Sequence, residues 1–467
     1  MTTTPPSTSP GTSPGTSPAG HRPVPRVGLV GVNGYGRTHL RNAVRLQEQG
    51  LLRLTGYADV APDAATVVAE HLPARGYAGP PPRGHRTLTD LLAAGRPDIV
   101  VLGTPIPLHA QMIEEAFAAG ASVLVEKPPV VTVQDIDRLL ARQGSGDATD
   151  SADPGDSGDP QDSAGPLCQV GFQNARAPVV RALARLARDG ALGEVEHVGL
   201  VGRWSRADSY YARTDWAGRL VHHGRYVLDG TLTNPFAHGL MNALIVAGDH
   251  DDAPATPTTV RAELYRCRDS IDGDDTASVR IDTAEGRTVV AAVTLCAPAQ
   301  VPPYVFVKGS RATARAYYTT GELTLDSART VRPPAAAVRA VEALAADTAR
   351  AGRAPGDAGS PDLLANLVNV VRGYEDRLLC PLRMTRGFVL ALNGMYESAG
   401  RPGPVSPRCT TVHDENGERW VHLVGVDDLI ERCARDGLLF SEAGAGWASP
   451  TRAFSLANYR DFTSFSC

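Results

Sequence analysis

Of the 46 basic residues in this chain two are lysine, Lys127 and Lys308, so arginine serves almost wherever a positive charge suffices. A lysine kept against that bias suits what arginine cannot supply: a compact ammonium that can lose its proton close to a reacting oxygen. Lys127 stands in Glu126-Lys127-Pro128-Pro129, directly after the apolar run Ala121-Ser-Val-Leu-Val125. Lys308, at a strand end before Gly309-Ser310, reads as structural. A second candidate for proton transfer is His238, in Thr233-Asn-Pro-Phe-Ala-His238. Asn234 and Pro235 read as the N-cap and first residue of a helix whose apolar positions include Leu240, Ala243, Leu244 and Val246. His238 then lies in the first turn, where the positive end of the helix dipole disfavours imidazolium and leaves the ring able to accept a proton.

These residues need a frame. Arg26 to Leu40 reads as strand, glycine turn and helix, with Gly31, Gly34 and Gly36 crowding the turn around Asn33 and Tyr35. Backbone N–H groups at such a helix start can face an anion, which suits the pyrophosphate of a dinucleotide. The turn departs from G-x-G-x-x-G at Asn33, a residue that tolerates left-handed backbone. The strand Leu51 to Asp59 ends in a carboxylate 23 residues beyond Gly36, the place of the acid that accepts hydrogen bonds from a ribose. A carboxylate there repels a 2′-phosphate, so NAD is favoured, with Arg83 or Arg86 leaving NADP possible. Pro97 to Gly103 and Ala121 to Val125 are further apolar strands, separated by Thr104-Pro105 and the helix Leu108 to Ala119. Strands of this kind alternating with helices make a parallel sheet that binds ligands at its carboxyl ends. Thr104, Pro105, His109, Glu126 and Lys127 all sit there, as cofactor contacts. His109 reads equally as a cofactor contact or as a capping or surface residue.

The formal charge is −5, and the six aspartates of residues 143–166, with no Lys or Arg among them, leave +1 on the remainder, so neither a nucleic-acid nor a membrane partner is implied. Those aspartates recur every third residue among Gly, Ser and Pro and read as a disordered acidic insertion rather than a calcium loop. Residues 1–24, with Thr-Ser-Pro repeating from Thr8 to Pro18, read as a disordered tail. Seven scattered cysteines without a C-x-x-C spacing suggest neither a disulfide framework nor a zinc site. No apolar run reaches the ~20 residues of a membrane span and no signal peptide is evident, so a cytoplasmic protein is expected.

The order GxNGYG, Asp59, Thr104-Pro105 with His109, and Glu126-Lys127-Pro128 resembles the Gfo/Idh/MocA family of nicotinamide-dependent oxidoreductases. So does Val170 to Pro178 followed by the helix ending Gly190-Ala-Leu-Gly-Glu-Val195. The resemblance covers most of residues 26–250. It implies a Rossmann domain over 25–172 and a C-terminal α+β domain over 173–467, built on a largely antiparallel open sheet that often forms an oligomer interface, hence a homodimer or homotetramer. It implies oxidation or reduction of a sugar, cyclitol or related polyol hydroxyl, with Lys127 and His238 catalytic. In the family's Asp-x-x-x-His the acid contacts substrate; here Asn234 takes its place and can hydrogen-bond a hydroxyl but cannot take a proton. Because the pattern lapses at Asn33 and Asn234, a non-catalytic dinucleotide-bound sensor is a second reading. Redox-neutral glycoside cleavage with NAD recycled in each turnover is a third.

Between the strand Glu194 to Trp204 and the helix of His238 lies a polar-aromatic stretch with Arg203, Trp204, Tyr210, Tyr211 and Trp216, then Gly224 to Gly230. Aromatic faces beside Arg and Asp suit a polyhydroxylated ligand. These five residues and Asn234 are the substrate-binding candidates. Beyond them, Thr259–Cys267, Ala277–Asp282, Arg287–Leu295, Tyr304–Lys308 and Thr313–Tyr317 alternate as antiparallel strands. The helices 361–373 and 385–400 are expected to pack on that sheet. No metal-ligand cluster, Ser/His/Asp signature or Walker loop is evident.

Overall fold

The computed structural model describes residues 23–72, 79–143, 165–250, 252–327 and 359–465, with single positions 339, 342 and 343. Residues 1–22 of the tail and 144–164 of the acidic insertion lie outside the described residues.

A first sheet orders β1 (Arg26–Val30), β2 (Arg53–Ala58), β3 (Arg83–His85), β4 (Ile99–Leu102), β5 (Ser122–Val125) and β6 (Cys168–Val170) as β3-β2-β1-β4-β5-β6. Every pair is parallel. All four residues of β4 and of β5 are buried, as strands covered on both faces must be. The covering helices are α1 (Gly36–Glu48), α2 (Ala64–His71), α3 (Leu88–Gly95), α4 (His109–Ala118) and α5 (Val133–Gln143). Strand order reverses between β1 and β4, and the turns after β1, β4 and β5 open side by side at that point.

The chain continues through α6 (Pro178–Arg188), β7 (Val195–Arg203), α7 (Asp208–Ala212), the short hairpin β8 (Val221–His222) and β9 (Arg225–Tyr226), and α8 (Ala237–Ala247). A second sheet then forms from β10 (Pro257–Arg266), β11 (Thr276–Thr283), β12 (Thr288–Thr294), β13 (Tyr304–Gly309), β14 (Ala312–Tyr317) and β15 (Glu322–Ser327), in the order β15-β14-β13-β7-β12-β11-β10. It is antiparallel except where β7 runs parallel beside β12 and the two-residue strand Gly403–Pro404 beside β10. Alternation along β7 sorts its two faces. Val198 and Leu200 join the core beneath α8, and Gly202 is closely covered by Phe236. Val201 and Arg203 turn to the far side, toward the helix Val426–Asp436.

One expectation changes here. The helix Leu363–Val371 packs on the first sheet: Leu363, Leu364, Leu367 and Val368 share a buried cluster with Val27, Leu29, Leu40 and Leu124. Its N-cap explains the placement. Asp362 Oδ1 accepts from Leu364 N and Ala365 N, each at 3.0 Å, and from Asn42 Nδ2 of α1 at 3.0 Å, while Arg45 pairs with the other oxygen. One carboxylate thus caps a helix and ties it to α1. The helix Arg386–Ala399 does pack on the second sheet, where Gly394 meets the Val260 side chain of β10. Asp362→Ala is expected to cost roughly 1–2 kcal/mol, the usual value of a lost cap. A lower urea midpoint at unchanged slope would show it; an unchanged midpoint would mean that packing alone seats the helix.

Candidate active site

The glycine turn joins β1 to α1. Left-handed backbone falls on Gly31 (φ +81°) and Gly34 (φ +54°), and Asn33 stays outside that region. A Cβ on Gly36 would lie 2.0 Å from the Gly31 carbonyl oxygen, so the turn closes with glycine alone at 36. Around Gly34 a Cβ would meet nothing within 4 Å, which leaves an open cradle above the turn. Asp59 lies beside it and fixes its shape: one carboxylate oxygen accepts from Val32 N at 2.8 Å, the other from Ala61 N at 2.9 Å. Each oxygen keeps a lone pair for a ribose hydroxyl. Asn33 donates to Asp63 at 3.2 Å and braces the turn against the loop after β2. Tyr35, half-exposed, stands edge-on to His39 one helical turn on, with centroids 5.4 Å apart. These residues fit the dinucleotide that the turn implies.

The carboxyl ends of β4 and β5 meet at His109. It is 1% exposed, and its ring nitrogens lie 2.9 Å from the Pro128 carbonyl and 2.8 Å from that of Thr104. Both nitrogens are therefore used within the protein. This corrects the direct cofactor contact read for His109: the ring positions the Thr104-Pro105 and Pro128 turns, and Thr104 and Pro105 remain at the strand end. Glu126 takes His39 Nε2 at 2.8 Å. Burial pushes the Glu126 carboxyl up, but the His39 hydrogen bond and the charges of His39 and Lys127 outweigh it and hold the group below its ordinary value.

Lys127 reaches from β5 to the segment before α8. Its Nζ donates to Asn234 Oδ1 at 2.8 Å and to the Asn234 carbonyl at 2.9 Å. Burial lowers the ammonium's pKa and Arg213 adds to that, against the opposing charges of Glu126 and Asp229. Asn234 is not the N-cap of α8. That place belongs to Phe236, and Asn234 instead bridges, its Nδ2 donating to Asp229 Oδ1 at 3.0 Å. The irregular turns 231–236 push the helix start two residues later than the Asn-Pro pair suggests. His238 does fall in the first turn of α8. Burial, then the Lys127 charge, pushes its ring down to about 3. Its Nδ1 is shielded without a partner among the described residues, and Phe172 stands edge-on at 5.6 Å.

The aromatic stretch divides. Trp204 packs on Phe236 at 4.6 Å, Arg206 covers Trp204 at 4.7 Å, and Arg213 stacks on Tyr210 at 3.8 Å and reaches Trp216 at 5.5 Å. Tyr210 is pushed up to about 12 by burial and then by the Asp229 charge. Two candidates turn away. Arg203 pairs with Glu431 at 3.1 Å and Asp427 at 3.7 Å on the far face of the second sheet, as strand alternation requires. Tyr211 is 9% exposed and packs under Arg268 at 5.3 Å. The fold also gathers two triads of possible metal ligands that sequence spacing did not suggest. In one, Cys267, Asp275 and Cys296, the Arg268 guanidinium lies 3.0 Å from the Cys296 sulfur; in the other, with Asp215 and His223, the half-buried His222 pairs with the exposed Asp215 at 3.2 Å. Reasoning from sequence missed Asp229, Arg213 and His39. Asp229 lay within the Gly224–Gly230 run, and His39 is four residues past Tyr35, on one face of α1.

Residues 25–146 match the family model described as the oxidoreductase family with an NAD-binding Rossmann fold. Over those residues the chain matches the Gfo/Idh/MocA family. Similar curated proteins include the inositol 2-dehydrogenase of Rhizobium meliloti (strain 1021), 27% identical over 266 residues, which are 57% of this chain and 67% of the relative. The rhizopine catabolism protein MocA of Rhizobium meliloti is 32% identical over 110 residues, 24% of this chain and 31% of that one. Among solved structures, the WlbA dehydrogenase of Chromobacterium violaceum, in complex with NADH and UDP-GlcNAcA, is 21% identical with a TM-score of 0.60. The alignment covers 80% of this chain and 93% of that one, a likeness of fold. The NAD-binding fold that defines the family is thus carried here by the Gly31–Gly36 turn and the first sheet. Gly36→Ala forces a methyl onto the Gly31 carbonyl, and NADH affinity is expected to fall at least tenfold, about 1.4 kcal/mol. Nicotinamide fluorescence reads it, and undiminished affinity would remove the turn from the cofactor site.

Proposed function

We propose that the protein is an NAD-dependent oxidoreductase that oxidises, or in reverse forms, a secondary hydroxyl of a sugar, cyclitol or related polyol. The observation that carries the reading is the placing of the Lys127 ammonium, at the carboxyl end of β5, on Asn234 beside His238. NAD, when bound, supplies the hydride acceptor. Gly31, Asn33, Gly34, Tyr35, Gly36 and Asp59 would hold it, with Thr104, Pro105 and Glu126 at the neighbouring strand ends. Trp204, Tyr210 and Trp216 offer apolar faces to a sugar ring, and Arg213 adds a cation at their edge.

The roles of the two proton-transfer residues follow from their surroundings. A ring pushed to about 3 stays neutral through the physiological range but is a weak base. Lys127, with an ammonium weakened by burial, is the better one. In the oxidising direction its neutral amine takes the hydroxyl proton and becomes ammonium, while His238 orients the same hydroxyl. Ammonium forms below the lysine's pKa and cannot accept a proton, so oxidation should speed up as pH rises and level off once the amine is free. This reading includes a homodimer or homotetramer, measurable by light scattering.

Lys127→Ala is expected to lower turnover by a factor of 10² to 10⁴, the span of general acid–base catalysis, and to leave NADH affinity within about threefold. Equal losses in both would make Lys127 a cofactor anchor instead. On a panel of polyols, kcat/KM should rise along one ascending limb that Lys127→Ala abolishes; a limb that survives in that variant would give the base role to another group.

A further inference from the structure

Lys127 has three ammonium positions and Asn234 takes two of them, one with its side-chain oxygen and one with its carbonyl. The first contact exists in one orientation of the amide. Were Asn234 turned over, its Nδ2 would face the lysine and two donors would oppose each other. Asp229 decides the orientation. It is 5% exposed, its Oδ2 accepts from Gly218 N at 2.7 Å, and its Oδ1 accepts from Asn234 Nδ2 at 3.0 Å. A carboxylate is acceptor-only, so the group facing it must be the Asn234 NH₂ and the group facing Lys127 must be the oxygen.

We propose that Asp229 is a positioning residue for the reaction: it locks the Asn234 amide, and through it turns the third Nζ position of Lys127 toward the substrate. Among the described residues no other protein acceptor is within hydrogen-bond distance of that position. The site therefore spreads over two residues five apart, an inner neutral amide and an outer buried charge. The separation has a chemical consequence. A carboxylate directly on Lys127 would favour its ammonium strongly; one step removed, it fixes geometry and favours the charge less. The charged or titratable groups facing Lys127 are Glu126 on its own strand end, Asp229 before α8, Arg213 at the end of α7 and His238 on α8. The inference rests on the proposed function for the hydroxyl that Lys127 serves.

The composition supplies a test independent of activity. With two lysines in the chain, a protein labelled with ¹⁵N at lysine Nζ gives Lys127 and Lys308 as the side-chain signals, assigned with Lys308→Arg. In Asp229→Asn the oxygen is drawn to Gly218 N, the new amide opposes the Asn234 NH₂, and Asn234 must turn. Lys127 should then titrate at lower pH than in the wild type, and kcat/KM should fall tenfold or more. The exchange Asp229→Asn with Asn234→Asp restores every hydrogen bond with the charge moved next to the lysine. It should recover the fold, raise the Lys127 midpoint above the wild-type value and shift the ascending limb of the pH profile upward with it. A Lys127 midpoint unmoved in both variants, or one that Asp229→Asn shifts equally in an Asn234→Ala background, overturns the proposal, whatever the loss of stability. If Asp229→Asn does not fold, the paired exchange decides alone by the same criterion. Midpoints that move as expected in a protein that oxidises no polyol would uphold the Asp229 relay and defeat the proposed function.

Discussion

The contact on which this molecule turns is a single ammonium held across the cleft between two sheets. Lys127 leaves the first sheet at the end of β5 and ends on Asn234, which opens the approach to α8 over the second. The two sheets each have a complete reason to fold: buried apolar strands with helices on both sides in one, alternating antiparallel strands in the other. Nothing in those reasons requires a charge at their junction. A buried ammonium costs several kcal/mol unless it is paired and hydrogen-bonded, so the surroundings of Lys127 have to be built around it. Glu126, Asn234 and Asp229 supply that, and the balance leaves the lysine easier to deprotonate than in water.

The same balance explains the contrast between the two residues proposed for proton transfer. His238 and Lys127 are neighbours and both bases, and the Lys127 charge disfavours that of His238. Where one proton is to be held between them, the group with partners for its N–H bonds keeps it. Lys127 has Asn234; the His238 Nδ1 has none among the described residues. The outcome separates a lysine that can change protonation from a histidine that stays neutral, as the proposed division of acid–base and hydrogen-bonding roles requires.

How much of this could be read from sequence depended on how local the cause was. The glycine turn, Asp59 and the Lys127 strand end are local: each is a residue type at a fixed offset from a strand, and the fold brings them together as strand order demands. Arg203 and Trp204 were read as one feature because they are adjacent, and the period of two along β7 sends them to opposite faces. The helix 361–373 has an apolar pattern that fits either sheet, and a salt-bridged cap to α1, 317 residues away along the chain, chose the first. His109 looked available because histidines at helix starts often are, yet two carbonyls from separate turns close on it.

Asp229 was the hardest to read, and the reason is general. A helix-start pattern such as Asn-Pro is judged by what the next residues offer, and here the offer is sound: asparagine caps helices well. The tertiary structure had a stronger use for the same side chain. A cap contributes about 1 kcal/mol, whereas an amide that both seats a buried ammonium and meets a buried carboxylate satisfies groups whose desolvation costs more than that. Asn234 therefore gives up the cap, the helix begins at Ala237, and the irregular residues between follow from that choice. Local propensity lost to charge, as it should wherever a site needs a buried ion more than a helix needs its first turn.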